Sequence, residues 1–265
     1  RCDIEAAIYM PLIEEVGTIP TERYASGAEI FAHAQALGRT FGLYEHALFQ
    51  TKVESMVWDA AAKRWRVRTN RGDTLEARFV CLAQGPLAKV KLPGITGIRD
   101  FRGPIFHSAR WDYRITGGGP EGGLDRLADK RVGIIGTGAT AVQIAPRIAE
   151  HVGELFVVQR TPSAVDVREN EPTDPRWFVS QDAGWQRRRM ENFLSVVTAA
   201  NVEADLVGDH WGDLWNRFVE LMHERFTPGG ELAPGDLMQI SDYEKMEALR
   251  QRVAEEVRDP EIAER

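Results

Sequence analysis

The chain has 265 residues, enough for one large domain or two modest ones with a sizeable core. Its 33 basic and 40 acidic side chains leave a formal net charge of −7, which offers no broad positive footprint for nucleic acid or anionic lipid. No apolar run approaches the ~18 residues of a membrane span, and two distant cysteines, Cys2 and Cys81, without CxxC or His/Cys ligand spacing point to a reduced, cytoplasmic protein with no metal.

In chain order, residues 21–46 read as a helix, capped by Thr21 or Ser26, because Ile30, Phe31, Ala34, Leu37 and Phe41 recur at helical spacing. The period then switches to two. Segments 49–58, 64–69 and 74–82 are predicted as strands of a meander, joined by Asp59 to Lys63 and by the tight-turn sequence Asn70-Arg71-Gly72-Asp73. The third strand runs apolar through Phe79 to Ala83, as a strand entering a buried sheet does. Residues 86–129, rich in Gly and Pro, read as linker and loop.

A βαβ unit follows: strand 131–135, helix near 139–150 with Pro146 inside it, and strand 155–159. Beyond it the chain reads as helical. Trp211, Leu214, Trp215, Phe218, Leu221 and Met222 form an apolar stripe, and Ser241 to Glu244 is a capping-box pattern predicted to open another helix. The run Arg187-Arg188-Arg189 reads as a solvated helix face.

The chemistry sits in two segments. After strand 131–135 comes Gly136-Thr137-Gly138-Ala139-Thr140-Ala141. Gly136 permits a tight turn, Gly138 lets backbone approach a pyrophosphate, and Ala141 is small enough for helix to pack on strand. The N–H groups at the helix start then face phosphate. At the end of the second strand, where NAD-binding units place an acidic residue, this chain has Arg160 and Thr161. A guanidinium clasps a 2′-phosphate that a carboxylate repels, so NADP is expected over NAD.

The second segment holds Phe101, Gly103, His107, Trp111 and Asp112. At these positions the sequence resembles type I Baeyer–Villiger monooxygenases, whose fingerprint runs FxGxxxHxxxW(P/D). The ordinary flavin-containing monooxygenases look similar but usually lack the Trp-Pro/Asp ending. Arg1-Cys2-Asp3, Thr21 to Ala25 and Gln159 to Pro162 also look like family segments.

The resemblance implies an α/β fold with two dinucleotide-binding, Rossmann-like domains, the first incomplete with a β-meander, the second carrying a helical insertion. Residues 1–88 are then a partial FAD-binding domain, 89–129 a linker with the fingerprint, and 130–265 an NADP-binding domain with a helical region from about 175. It implies that Arg1, Cys2 and Asp3 lie where flavin and nicotinamide meet, and that Tyr9 and Val53 touch FAD. Gly136, Thr137, Gly138, Ala139, Thr140, Ala141, Val142 and Gln143 would cradle the NADP pyrophosphate, and Arg160 with Thr161 the 2′-phosphate. Asp3 would orient a catalytic arginine, and His107 would couple domain motion to cofactor binding. The implied reaction uses NADPH, FAD and O₂ to insert one oxygen atom into a ketone, giving an ester or lactone.

The competing readings are an N- or S-oxygenating flavin monooxygenase and a non-catalytic NADP-binding module. No FAD-type GxGxxG and no family arginine are in the sequence, so the chain is expected to be an inactive internal piece of a protein about twice its length. The ketone and the oligomeric state are not legible.

Overall fold

In a computed structural model, which describes residues 2–85, 89–198, 200 and 203–263, the chain is α/β, with an antiparallel and a parallel sheet. Its elements are α1 (Ala6–Tyr9), α2 (Ile13–Val16), α3 (Gly27–Thr40), β1 (Val53–Asp59), β2 (Arg64–Thr69), β3 (Thr74–Ala77), α4 (Tyr113–Thr116), β4 (Arg131–Ile135) and α5 (Ala139–Ala149). There follow β5 (Glu154–Val158), α6 (Pro175–Val179), α7 (Trp185–Val197), α8 (Asp213–Arg225), α9 (Pro234–Glu256) and α10 (Pro260–Ala263). They form two compact units, Arg1–Ala47 with Ala164–Arg265, and Leu48–Ser163. By contacts, the late helices group with residues 1–47, and the boundary before the βαβ unit expected near 88 does not separate two of these units. The physical reason is that α7 packs on α1 and α2.

The first unit is built around Cys2, Ala6, Ala7, Met10, Ile13, Tyr24, Ala25 and Trp185. Gln186 ties the late chain to the early one: its amide donates to the carbonyls of Ala7 (3.0 Å) and Met10 (2.7 Å) and accepts from the N–H of Ile13 (2.9 Å). It satisfies backbone groups at the ends of two short helices that would be orphaned on burial. The arginine run is not one solvated face. Arg187 pairs with Glu191 in solvent, whereas Arg189 is largely buried and grips both oxygens of buried Glu5. The reason is its place on the side of α7 that packs against the early chain.

Of two expected helix starts, one falls at the second of its two candidate caps and the other is displaced. Helix α3 begins at Gly27, with Ser26 as its cap accepting from the N–H of Glu29 (3.2 Å). Thr21 lies outside it and donates through N–H and hydroxyl to the Glu29 carboxylate. The Ser241 capping box is inside α9, which starts at Pro234, where the Asp236 carboxylate accepts from the Ala233 N–H (2.8 Å). Proline at a first helical position and a side-chain acceptor are stronger start signals than a hydroxyl alone. Ser241 is buried and donates to the Leu214 carbonyl of α8 (2.7 Å), beside the buried Leu221 and Leu237.

In the second unit, β1, β2 and β3 pair antiparallel in that order. Residues Trp65, Val67 and Thr69 alternate inward with arginines outward, and Trp65 meets its cross-strand partner Trp58 edge-on at 5.6 Å. Gly72, at φ +83°, turns β2 into β3. The third strand ends at Ala77, not Leu82, and Phe79 (83% exposed) and Leu82 (64%) stand in solvent. An apolar run becomes a strand only with a ladder partner, and none among the described residues pairs with 78–83.

Strands β4 and β5 are parallel, in register from Arg131 opposite Glu154 to Ile135 opposite Val158, with α5 between them as expected. Ile134 and Ile148 form their core with Leu124 and Leu127, and Trp111 packs against it. The segment expected as a linker thus supplies core side chains to the βαβ unit, with Leu124 and Leu127 following the glycine turn 117–123 directly onto β4.

Candidate functional site

The βαβ unit turns sharply at Gly136, whose φ of +102° is accessible to glycine at little cost. Its N–H donates to the Val158 carbonyl (2.8 Å), so the ladder continues into the turn. Gly138 is the N-cap of α5, with no side-chain cap bond. The first N–H groups of a helix have no intrahelical acceptor, so the groups from Ala139 onward form an anion-seeking end. A Cβ built on Gly136 or Gly138 meets nothing within 4 Å, leaving open space over the turn. Ala141 packs on the core below it, while Thr140, Val142 and Gln143 are exposed on the helix.

The end of β5 closes the other side. Arg160 is exposed two residues beyond the strand. The Thr137 hydroxyl lies 3.5 Å from the Thr161 carbonyl and 3.3 Å from the Ser163 hydroxyl, linking the turn to the segment that carries Arg160. These residues fit a phosphorylated dinucleotide: backbone donors at an uncapped helix, room above glycine, and a cation alongside.

The fingerprint residues have local roles in the same unit. The Phe101 ring lies over Gly103, where a Cβ would come within 2.5 Å of it. His107 accepts the Ala109 N–H at Nδ1 (3.1 Å) and begins the turn Ser108–Arg110. Trp111 donates to the Thr116 hydroxyl (3.1 Å) and meets Phe106 edge-on at 5.4 Å. Asp112 caps α4 by accepting from the Arg114 N–H (3.0 Å), and the Arg114 guanidinium beside it holds its carboxyl below the usual range.

Of the residues expected at the flavin, Arg1 lies outside the described residues. Cys2 is buried, and its thiol donates to the Ala25 carbonyl (3.7 Å). Burial pushes that thiol up, so it stays protonated. Asp3, Tyr9 and Val53 are exposed. Asp3 and Tyr9 belong to the first unit, Val53 and the glycine turn to the second.

Sequence reasoning missed a charged cluster in the first unit. Lys245 reaches Asp166 (2.6 Å) and Asp213 (2.8 Å), and His210 lies 2.8 Å from Asp213. Asp166, His210 and Asp213 converge as metal ligands do, but the Lys245 ammonium already supplies the cation. It also read Trp211 only as part of an apolar stripe, whereas its indole N–H donates to the Asp3 carbonyl (3.0 Å). No local pattern connects groups so far apart in the chain.

A glycine turn, an uncapped helix and a basic strand end in one parallel βαβ unit are built as dinucleotide-binding units are. The chain belongs to the flavin-binding monooxygenase-like family, whose model matches residues 20–207. It is 48% identical over 263 residues to neopentalenolactone D synthase of Streptomyces avermitilis, covering 99% of this chain and 44% of the relative. A Baeyer–Villiger monooxygenase of Streptomyces coelicolor is 46% identical over 265 residues, covering 100% of this chain and 44% of the relative. Among solved structures, a polycyclic ketone monooxygenase of Thermothelomyces thermophila superposes with a TM-score of 0.85 at 38% identity, over 99% of this chain and 44% of that one. OTEMO in complex with FAD and NADP gives 0.72 at 26%, over 100% and 50%. The chain spans less than half the length of these curated relatives.

Proposed function

We propose that the full-length protein carrying this sequence is an NADPH- and FAD-dependent Baeyer–Villiger monooxygenase, inserting one oxygen atom of O₂ into a ketone to give an ester or lactone. The observation that carries this reading is the open glycine turn at Gly136 and Gly138, linked through Thr137 to the segment of Arg160, in one unit with the Trp111-Asp112 fingerprint. The names of the relatives support the ketone chemistry.

On this reading the βαβ unit from residue 130 on belongs to the NADP-binding domain, and residues 1–88, with the meander, contribute to a second dinucleotide-binding domain for FAD. The N–H groups from Gly138 to Ala141 bind the pyrophosphate, flanked by Thr137, Val142 and Gln143, and Arg160 with Thr161 holds the 2′-phosphate. Asp3, with the backbone of Cys2 and the residue Arg1, lines the meeting point of flavin and nicotinamide, and Tyr9 and Val53 offer exposed contacts to FAD. FAD, when bound, supplies the oxygen-activating chemistry, and the protein supplies orientation and exclusion of water. Asp3 contributes a fixed negative charge that orients a cationic side chain, and His107 couples the fingerprint segment to cofactor binding.

The test is product analysis with the full-length protein, FAD and NADPH, offering a cyclic ketone against a tertiary amine. Ester or lactone supports the proposal. An N-oxide alone overturns it in favour of an N-oxygenating enzyme.

A further inference from the structure

We propose that Trp211 is a positioning residue that fixes the backbone of Asp3, and so the carboxylate assigned above to the cofactor junction; the proposal rests on that assignment. Asp3 follows Cys2, whose side chain is turned into the core and whose N–H donates to the Ala25 carbonyl (3.2 Å). One side of the Asp3 backbone is thereby anchored. On the other side its carbonyl accepts the Trp211 indole N–H at 3.0 Å, across 208 residues of sequence.

The segment leading to Trp211 is held from Ala204 to Gly208. Asn192 bonds the Ala204 carbonyl (2.7 Å) and the Leu206 N–H (2.8 Å), and Asp205 accepts the N–H groups of Val207 and Gly208, each at 2.9 Å. Arg23, two residues before Ala25, donates to the carbonyls of Val207 (2.9 Å) and Gly208 (3.2 Å). The same early segment thus grips the loop that reaches back to Asp3.

Asp209 then shapes the turn: its carboxylate accepts the Trp211 N–H (3.0 Å) and its carbonyl the Gly212 N–H (2.9 Å). This carboxyl is buried, and burial pushes it up despite the Trp211 N–H and the guanidinium groups of Arg168 and Arg23. A polar group placed inside at such a cost calls for a return, and here it is a defined direction for residue 211. Trp211 itself is 44% exposed, so filling the core does not account for its position. Its directed feature is the N–H bond to Asp3.

The experiment uses the full-length flavoprotein with Trp211→Phe, which keeps an aromatic ring and removes the donor, and Trp211→His, which keeps a ring N–H. Measured are kcat, KM for NADPH, the fraction of NADPH consumed that yields hydrogen peroxide in place of ester, and amide hydrogen exchange over residues 2–6. The Phe variant is expected to exchange faster there, to lose about two- to tenfold in kcat, as one net hydrogen bond allows, and to release more peroxide at unchanged KM. The His variant recovers part of each loss.

Exchange, kcat and peroxide fraction at wild-type levels in the Phe variant overturn the proposal, as does faster exchange with unchanged kcat and peroxide fraction. Equal losses in the Phe and His variants also overturn it, because indole bulk then matters and the donor does not. Asp3→Asn, run in parallel, separates the two readings. If it behaves as wild type, the assignment of Asp3 falls. If it is crippled while Trp211→Phe is silent, only the role of Trp211 falls.

Discussion

The N–H of Gly136 donates to the carbonyl of Val158 at 2.8 Å, which carries the parallel ladder one step beyond its last strand pair. That bond places the end of β5 beside the glycine turn, and with it the segment bearing Arg160. The side chain is exposed and so carries little of the fold. Arg160→Ala in the full-length protein is expected to weaken NADPH by about 1.5–3 kcal/mol, the worth of a charge-assisted hydrogen bond. NADH, which lacks the 2′-phosphate, should be nearly unaffected. Dissociation constants for the two coenzymes check this, and equal losses would remove the 2′-phosphate role.

Gly138 separates coenzyme binding from stability. Its backbone, at φ −70° and ψ 178°, suits any residue, and a Cβ there meets nothing within 4 Å. Gly138→Val should therefore leave the melting temperature near wild type while blocking close approach of a pyrophosphate. Gly136→Val, at φ +102°, should lower the melting temperature as well, because a β-branched residue is strained there. Titration with NADPH alongside thermal melts distinguishes the two. Unchanged affinity in Gly138→Val would sink the phosphate-turn assignment.

The βαβ unit was legible because its signals are local: a short apolar strand, glycines at fixed spacing, and a helix of matching length. The meander was legible for the same reason up to Ala77, where pairing with β2 ends. The run from Phe79 to Ala83 has the hydrophobicity of a strand but no ladder partner among the described residues, and strand formation needs a neighbour. Ser241 shows the opposite error: a hydroxyl three residues before a glutamate is an N-terminal pattern, yet its bond goes to Leu214 on another helix. Gln186 escaped notice, and Arg189 and Trp211 were read as solvated face and apolar stripe, because their partners are Met10, Glu5 and Asp3, at the far end of the chain. The fingerprint was read as a linker motif, though Trp111 is also a packing residue.

Ser241→Ala tests the junction of α8 and α9. The hydroxyl is buried and its bond to the Leu214 carbonyl is 2.7 Å. Removal costs about 1 kcal/mol of stability, the net value of one hydrogen bond, with some penalty for the carbonyl left behind. Ser241→Thr, which keeps the hydroxyl, should lose less unless its added methyl group crowds the interface. Denaturant unfolding of the full-length protein gives the comparison. No loss in Ser241→Ala would show that the bond contributes nothing net.

The Lys245 cluster makes a prediction with a defined pH window. Burial opposes ionisation of Asp166 and Asp213, but hydrogen bonds from Lys245 prevail and hold both carboxyls below their ordinary value. Burial likewise works against the Lys245 ammonium, and the same two bonds hold it above its ordinary value of 10.5. The carboxylate contribution is therefore present above the unfolded carboxylate range, near pH 4, and fades as pH falls through the lower folded values. The lysine contribution is present below its unfolded value and fades as pH rises through the higher folded one. Lys245→Met leaves two carboxylates facing each other beside His210 and should cost about 1–2 kcal/mol at neutral pH, discounted for partial exposure. The gap in unfolding free energy between wild type and Lys245→Met should be widest between about pH 5 and 10 and close towards pH 3 as the carboxyls protonate. Denaturant melts across that range measure it, and a gap independent of pH would show that Lys245 acts through packing of its alkyl stem and not through its charge.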